Sequence, residues 1–149
     1  MSEIQIKLTS PLLTQAPSYA TDGAAALDLR ACIVAPKVLE PNQTTVIGAG
    51  FALNIADPNI AAIILPRSGL GIKDGIVLSN LTGLIDSDYQ GEVFIGVWNR
   101  SETPFMIEPQ NRIAQMIFVP ILRPALSLVD SFKTTSQRGE NGIGSTGVV

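Results

Sequence analysis

Apolar and polar residues alternate along much of this chain with a period of two. Ile4, Ile6 and Leu8 are interleaved with Glu3, Gln5 and Lys7, and Leu27, Leu29, Ala31 and Ile33 with Asp28, Arg30 and Cys32. Successive side chains of a strand point to opposite faces, so each run predicts a strand. In the second run, Asp28 and Arg30 fall on the face opposite the leucines. Phe51, Leu53 and Ile55 alternate with Ala52 and Asn54 in the same way. Short apolar runs follow at residues 61–65, 76–78, 93–98 and 113–119, each bounded by Gly, Pro or Asn. Asp22-Gly23, Pro36, Pro41-Asn42 and Asp57-Pro58-Asn59 punctuate the chain as turns. No window of a dozen residues carries a helical period, and only a short helical piece beginning near Ser68 is expected. Many short strands separated by turn residues predict an all-β sandwich, jelly roll or barrel.

Composition narrows the picture. A chain of 149 residues makes one domain with a real core. With 46% hydrophobic and 15% charged residues it is apolar for a monomer, which predicts that some apolar surface is buried between subunits. The longest aliphatic run, 60–65, is too short to cross a bilayer, and residues 1–10 contain no signal-peptide core, so no membrane association is expected. One cysteine, Cys32, precludes an intrachain disulfide and fits a reducing, cytoplasmic location.

The chain has no histidine, which excludes a Ser-His-Asp triad, a Cys-His pair and histidine-ligated zinc. Any general base must be a carboxylate, a lysine or a tyrosine. A net charge of −3 argues against nucleic-acid binding over a broad basic surface, but leaves room for a small anion held by a few arginines.

Four stretches carry candidate chemistry. Gly83-Leu84-Ile85-Asp86-Ser87-Asp88-Tyr89-Gln90-Gly91-Glu92-Val93 places two carboxylates, Asp86 and Asp88, and a tyrosine between Gly83 and Gly91 in a turn at a strand end. Such a turn is either a solvated hairpin tip or a site held on a rigid scaffold. In Pro66-Arg67-Ser68-Gly69-Leu70-Gly71-Ile72-Lys73, Ser68 reads as an N-cap and Gly69 leaves amides open to an anion beside Arg67. Gln115 lies in a segment that otherwise reads as core, where a glutamine needs partners, structural or ligand. Residues 134–149 are almost all small, polar or glycine, as in a tail that does not order itself or a lid that orders over a ligand. Two formal motif matches in that tail fail. No helix can follow the glycine pattern 142–147, and Ser145 stands where a phosphate-binding loop needs lysine. The glycines, Ser145, Thr146 and Arg138 still have the chemistry to wrap phosphate oxygens.

Taken in order, residues 25–31, 66–73, 83–93, 112–116 and 138–147 resemble the five motifs of the trimeric dUTP pyrophosphatases (dUTPases), bacterial type, over nearly the whole chain. The resemblance implies a jelly-roll-like subunit (1–133) with a flexible C-terminal lid (134–149), in a homotrimer with an exchanged C-terminal segment. It also implies Mg2+-dependent cleavage of dUTP to dUMP and pyrophosphate, which limits uracil in DNA and supplies dUMP for thymidylate synthesis.

By the same resemblance, Asp86 orients the water that attacks the α-phosphate, and Tyr89 packs on the deoxyribose and excludes a 2′-hydroxyl. Asn80 and the backbone of Gly83, Leu84 and Ile85 pair with the uracil edge, and Phe94 touches the base region. Arg67, Ser68, Gly69 and Gln115 hold the α- and β-phosphates, and Arg138, Ser145 and Thr146 the γ-phosphate. Asp28 serves the magnesium through water, without a direct protein ligand, and each site is shared among subunits.

The tail departs from the family. Ile143 stands where relatives carry the aromatic that stacks on uracil, and Asn141 replaces a glycine. Two alternatives compete. The dCTP deaminases share the fold and resemble this chain around Ile85-Asp86 and Asn99, but carry a glutamate where Gly96 stands. Against a non-catalytic, nucleotide-binding trimer stands the full set Asp86, Arg67, Gln115 and Arg138, since a mere binder has no use for a water-orienting carboxylate.

Overall fold

The computed structural model describes residues 3–140 and 142. Ten strands are present among them: β1 (Gln5–Leu8), β2 (Leu27–Arg30), β3 (Lys37–Leu39), β4 (Thr44–Asn54), β5 (Ile60–Leu65), β6 (Ile76–Leu78), β7 (Gly83–Ile85), β8 (Glu92–Asn99), β9 (Phe105–Ile107) and β10 (Arg112–Pro120). They form two four-stranded sheets, β1-β4-β8-β6 and β2-β10-β5-β7, and a ribbon of β3 with β9; every pairing is antiparallel. Inward residues of both sheets, among them Leu29, Phe51, Leu53, Ile76, Ile95 and Met116, join one buried cluster. The all-β, jelly-roll-like fold follows from the alternation that drives each strand to bury one face.

Alternation holds along β2 and β8. Leu27 and Leu29 are buried while Asp28 is half-buried and Arg30 exposed; in β8, Val93, Ile95 and Val97 face in and Phe94 faces out. It fails in β4, where Ala49 through Leu53 are all buried. The pairing of β4 with β8 slips between Gly48 and Ala52, so a bulge lets both faces of this stretch pack. Gly50 has φ 78°, a value that disfavours any side chain.

One expected detail is corrected. Ser68 is not an N-cap: it lies within the first helical turn, which continues as a π-helical segment, Leu70–Asp74, without a side-chain cap. The preceding Pro66 and the tight exit at Gly75, φ 69°, leave room for little more than one turn.

The segment after β10 leaves the core. Leu122, Leu126, Leu128 and Phe132 are between 89% and 102% exposed, a run of large apolar side chains left uncovered among the described residues. No helix among the described residues is long and apolar enough to cross a membrane.

Candidate active site

The four motif segments of the body, 25–31, 66–73, 83–93 and 112–116, lie on or beside neighbouring strands of one sheet. In the order β2-β10-β5-β7, Asp28 is on β2, Gln115 on β10, Arg67 just past β5, and Asp86 just past β7. Register fixes their rows: Gln115 pairs with both Asp28 and Leu65, while Ile85 pairs with Ala62.

At one end, a cleft of about 240 Å³ is lined by Asn80, Gly83, Leu84, Ile85, Asp86, Tyr89 and Phe94, with Ile64 and Val93 behind them. All seven residues assigned there from sequence to base, sugar or water come together. The volume lies below the roughly 300–1,000 Å³ of drug-sized pockets and suits one small ring with a sugar. β7 is the edge strand of its sheet, so the backbone groups on its outer side have no strand partner among the described residues. Such an edge presents N–H and C=O groups at fixed spacing to whatever lies beside it. Gly83 is required for the close approach of β7 to β5, since a Cβ there would stand 3.0 Å from Ile64 Cβ. Asp86 is exposed at the end of β7 and its carbonyl accepts from the Tyr89 amide at 3.2 Å, closing the turn that sets both side chains at the cleft.

A second cluster forms beyond the other end of β5. The Asp28 carboxylate is clamped by two guanidinium groups, Arg67 Nε at 3.0 Å from Oδ1 and Arg112 Nη1 at 3.1 Å from Oδ2. Arg67 Nη1 also donates to the Arg112 carbonyl at 3.4 Å. Gln115 Nε2 donates to the Pro66 carbonyl at 3.0 Å, which pins the base of the loop that carries Arg67, Ser68 and Gly69. Ser68 and Gly69 are exposed, and the space around Gly69 is open. Two cations against one carboxylate leave a local excess of positive charge next to exposed backbone, an arrangement suited to an anion.

Sequence reading missed Arg112, which it took only as the start of a strand. Its partnership with Asp28 depends on the irregular register of β10 against β2, between Arg112 and Ala114, which no local pattern reveals.

The two clusters do not meet in one chain. From Gln115 to Ile85 the sheet spans two strand spacings of about 4.8 Å and three residues of about 3.3 Å, roughly 14 Å in all. Asp86 lies one residue further, so no single phosphate could touch both it and Gln115. Asp28, with one more spacing, is more distant still.

Arg138 is exposed, and its Nη2 lies 3.5 Å from the Gly142 carbonyl. Ile143, Ser145 and Thr146 lie outside the described residues. No three His, Cys, Asp or Glu side chains come together among the described residues as a metal site.

An all-β domain with a small cleft on a sheet edge and a separate arginine–carboxylate cluster has the groups to hold a small phosphorylated ligand. A model of the dUTPase family matches residues 14–147, so the chain belongs to the dUTPase family. It is 56% identical to the deoxyuridine 5'-triphosphate nucleotidohydrolase of Azoarcus sp. (strain BH72) over 99% of both chains. It is 60% identical to that of Sodalis glossinidius (strain morsitans) over 131 residues, 88% of this chain and 86% of the relative. Among solved structures, a Staphylococcus bacteriophage 80alpha dUTPase with dUPNHPP superposes with a TM-score of 0.88 at 29% identity, covering 99% of this chain and all of that one.

Proposed function

We propose that this member of the dUTPase family cleaves dUTP to dUMP and pyrophosphate with the uracil and deoxyribose in the β7 cleft. The carrying observation is the convergence of Asn80, Gly83, Leu84, Ile85, Asp86 and Tyr89 on one cleft at a free sheet edge. Uracil offers an N–H between two carbonyls, and the β7 edge with Asn80 answers with groups of both kinds. Cytosine inverts part of that pattern and would leave buried polar groups unpaired, a mismatch worth up to about 10⁴-fold in discrimination. Tyr89 packs against the deoxyribose, where a 2′-hydroxyl has no room.

Asp86 accepts a hydrogen bond from a water and takes its proton as the oxygen attacks the α-phosphorus in line. The bond from that phosphorus to the α–β bridging oxygen breaks, and pyrophosphate leaves with the electron pair. A carboxylate base fits a chain without histidine. Arg67, Ser68, Gly69 and Gln115 hold the α- and β-phosphates, and Arg138, Ser145 and Thr146 the γ-phosphate. When bound, Mg2+ neutralises charge on the triphosphate and fixes its conformation. The donor set suits an ion carried by phosphates and water rather than by the protein. Asp28 already takes one guanidinium on each oxygen but keeps lone pairs for a metal-bound water.

The separation of Asp86 from the arginine cluster supports a homotrimer in which each site takes its nucleoside cleft from one copy and its phosphate grip from another. The exposed leucines of the segment after β10 support its exchange onto a neighbouring copy, since apolar runs of this kind rarely stay in water. The tail beyond residue 133 then closes over a neighbour's site. The lone cysteine supports the cytoplasm as the place of action.

Deamination of dCTP is disfavoured by Gly96. Glycine there supplies none of the acid–base chemistry that the deaminase glutamate brings. Incubation with dUTP and, separately, dCTP tests the proposal: pyrophosphate from dUTP and no ammonia from dCTP are expected. Ammonia release, or no pyrophosphate from dUTP with magnesium present, would overturn it.

A further inference from the structure

Tyr89 sits in an exposed loop between β7 and β8, and a ring in such a loop needs an anchor before it can act as a wall. Its hydroxyl donates to the Glu92 carbonyl at 2.9 Å. The ring folds back over Gly91, where a Cβ would stand 2.5 Å from the hydroxyl oxygen and 2.7 Å from the ring carbon bearing it. Any other residue at 91 therefore displaces the ring.

Glu92 reaches in the opposite direction with its side chain. Oε1 accepts from the Gly50 amide at 3.1 Å, inside the β4 bulge, where the slipped register has taken Gly50 out of the ladder with β8. Regular pairing resumes at Ala52 with Glu92 itself. A Cβ on Gly48 would run into the same carboxylate oxygen, so Gly48 keeps this path open. One residue thus ties the bulge of the central strand, through its carboxylate, to the tyrosine, through its carbonyl.

We propose that Glu92 is a specificity-determining positioning residue: its carboxylate on the Gly50 amide fixes the carbonyl that holds the Tyr89 ring against the sugar. The proposal rests on the reading of Tyr89 as the wall that excludes a 2′-hydroxyl. The mount matters because a wall rejects a ribonucleotide only while it cannot yield. A ring free to swing by about 1 Å admits the extra oxygen, and displacements of that size change rates by up to about 10²-fold.

The test is the ratio of kcat/KM for dUTP to that for UTP, measured for the wild-type chain and for Glu92→Ala, Glu92→Gln, Gly91→Ala and Tyr89→Ala. Loss of folded protein or of assembly lowers both substrates together and leaves the ratio fixed. Glu92→Ala and Gly91→Ala are expected to lower the ratio about tenfold by raising UTP hydrolysis relative to dUTP. Glu92→Gln, which keeps an acceptor oxygen for the Gly50 amide, is expected to restore most of it. If Tyr89→Ala collapses the ratio while Glu92→Ala leaves it at the wild-type value, the sugar wall stands and Glu92 is not its mount. If Tyr89→Ala also leaves the ratio unchanged, the sugar wall itself is refuted, and the proposal with it.

Discussion

Asn99 is the one fully buried polar side chain among the described residues, and its replacement gives the sharpest stability prediction. It uses every bonding position of the amide. Nδ2 donates to the carbonyls of Leu39 and Thr103, both at 2.8 Å, and Oδ1 accepts from the Ser101 amide at 2.9 Å and the Ser101 hydroxyl at 2.8 Å. The amide so joins the end of β8 to β3 and to the loop before β9. Asn99→Leu keeps the branching at Cγ in a bulkier side chain and removes all four bonds. The Ser101 hydroxyl proton, released from Oδ1, can turn to the Thr103 carbonyl 3.0 Å away, so the groups stranded by the change are the Leu39 carbonyl and the Ser101 amide. At about 1–3 kcal/mol for the buried Leu39 carbonyl and less for the part-buried Ser101 amide, the expected loss is about 2–4 kcal/mol. That is a large part of the 5–15 kcal/mol that holds a typical domain.

Urea unfolding followed by Trp98 fluorescence, at one fixed chain concentration because the proposed assembly would shift the midpoint, measures this loss. Asn99→Asp should be worse near neutral pH, because a carboxylate would face two carbonyl oxygens. Its folded-state pKa would be raised, so the defect should shrink as pH falls and the acid takes up a proton. A loss below about 1 kcal/mol for Asn99→Leu with a large fall in turnover would refute the structural assignment and make Asn99 a ligand contact.

Other outcomes follow from the site. Asp86→Asn preserves the turn, whose closing bond is between backbone atoms, and should lower pyrophosphate release by about 10²–10⁴ with an unchanged melting temperature; a fall of less than about threefold would remove Asp86 from its assigned part. Arg112→Gln frees one oxygen of Asp28 and loosens Arg67, and should raise KM for dUTP more than it lowers kcat. Its effect on unfolding should stay within about 1 kcal/mol because this ion pair is partly exposed, and a larger loss would mark it as structural. Ile143→Phe should lower KM by about two- to tenfold, the worth of restored ring stacking at roughly 0.5–1.5 kcal/mol; unchanged KM and kcat would sink the idea. A chain ending at Pro120 should fail to sediment as a trimer, since it lacks the exposed leucines that follow β10; a stable trimer without them would refute the exchange.

The strands with clean alternation or uninterrupted apolar runs were legible in the sequence because burial of one face is written in the period. β3 and β9 were not, since each is three residues long and finds its only pairing in the other. The first half of β4 was hidden for a different reason: Thr44-Thr45-Val46-Ile47 does not alternate in polarity, and Val46 lies exposed although apolar. The helical piece near Ser68 was placed correctly, yet the capping chemistry of serine was overridden by a π-type turn that the local composition does not announce. Motif order brought the cleft residues to light, whereas Arg112 and Glu92 emerged only with the register. Their partners, Asp28 and Gly50, are 84 and 42 residues away in the chain.

The distance between Asp86 and the arginine cluster has a genetic meaning under the shared-site assembly. Two chains, one damaged at Asp86 and the other at Arg67, would each be inactive alone. Co-expressed in equal amounts and assembled at random, they would regain about one working site in four, because a site needs an intact Asp86 from one neighbour and an intact Arg67 from another. The same arithmetic makes a single lesion harmless to a healthy chain: a copy damaged at Asp86 still lends its Arg67, so working sites equal healthy copies in number. A lesion at either position would therefore be recessive, and two different lesions partly self-correcting.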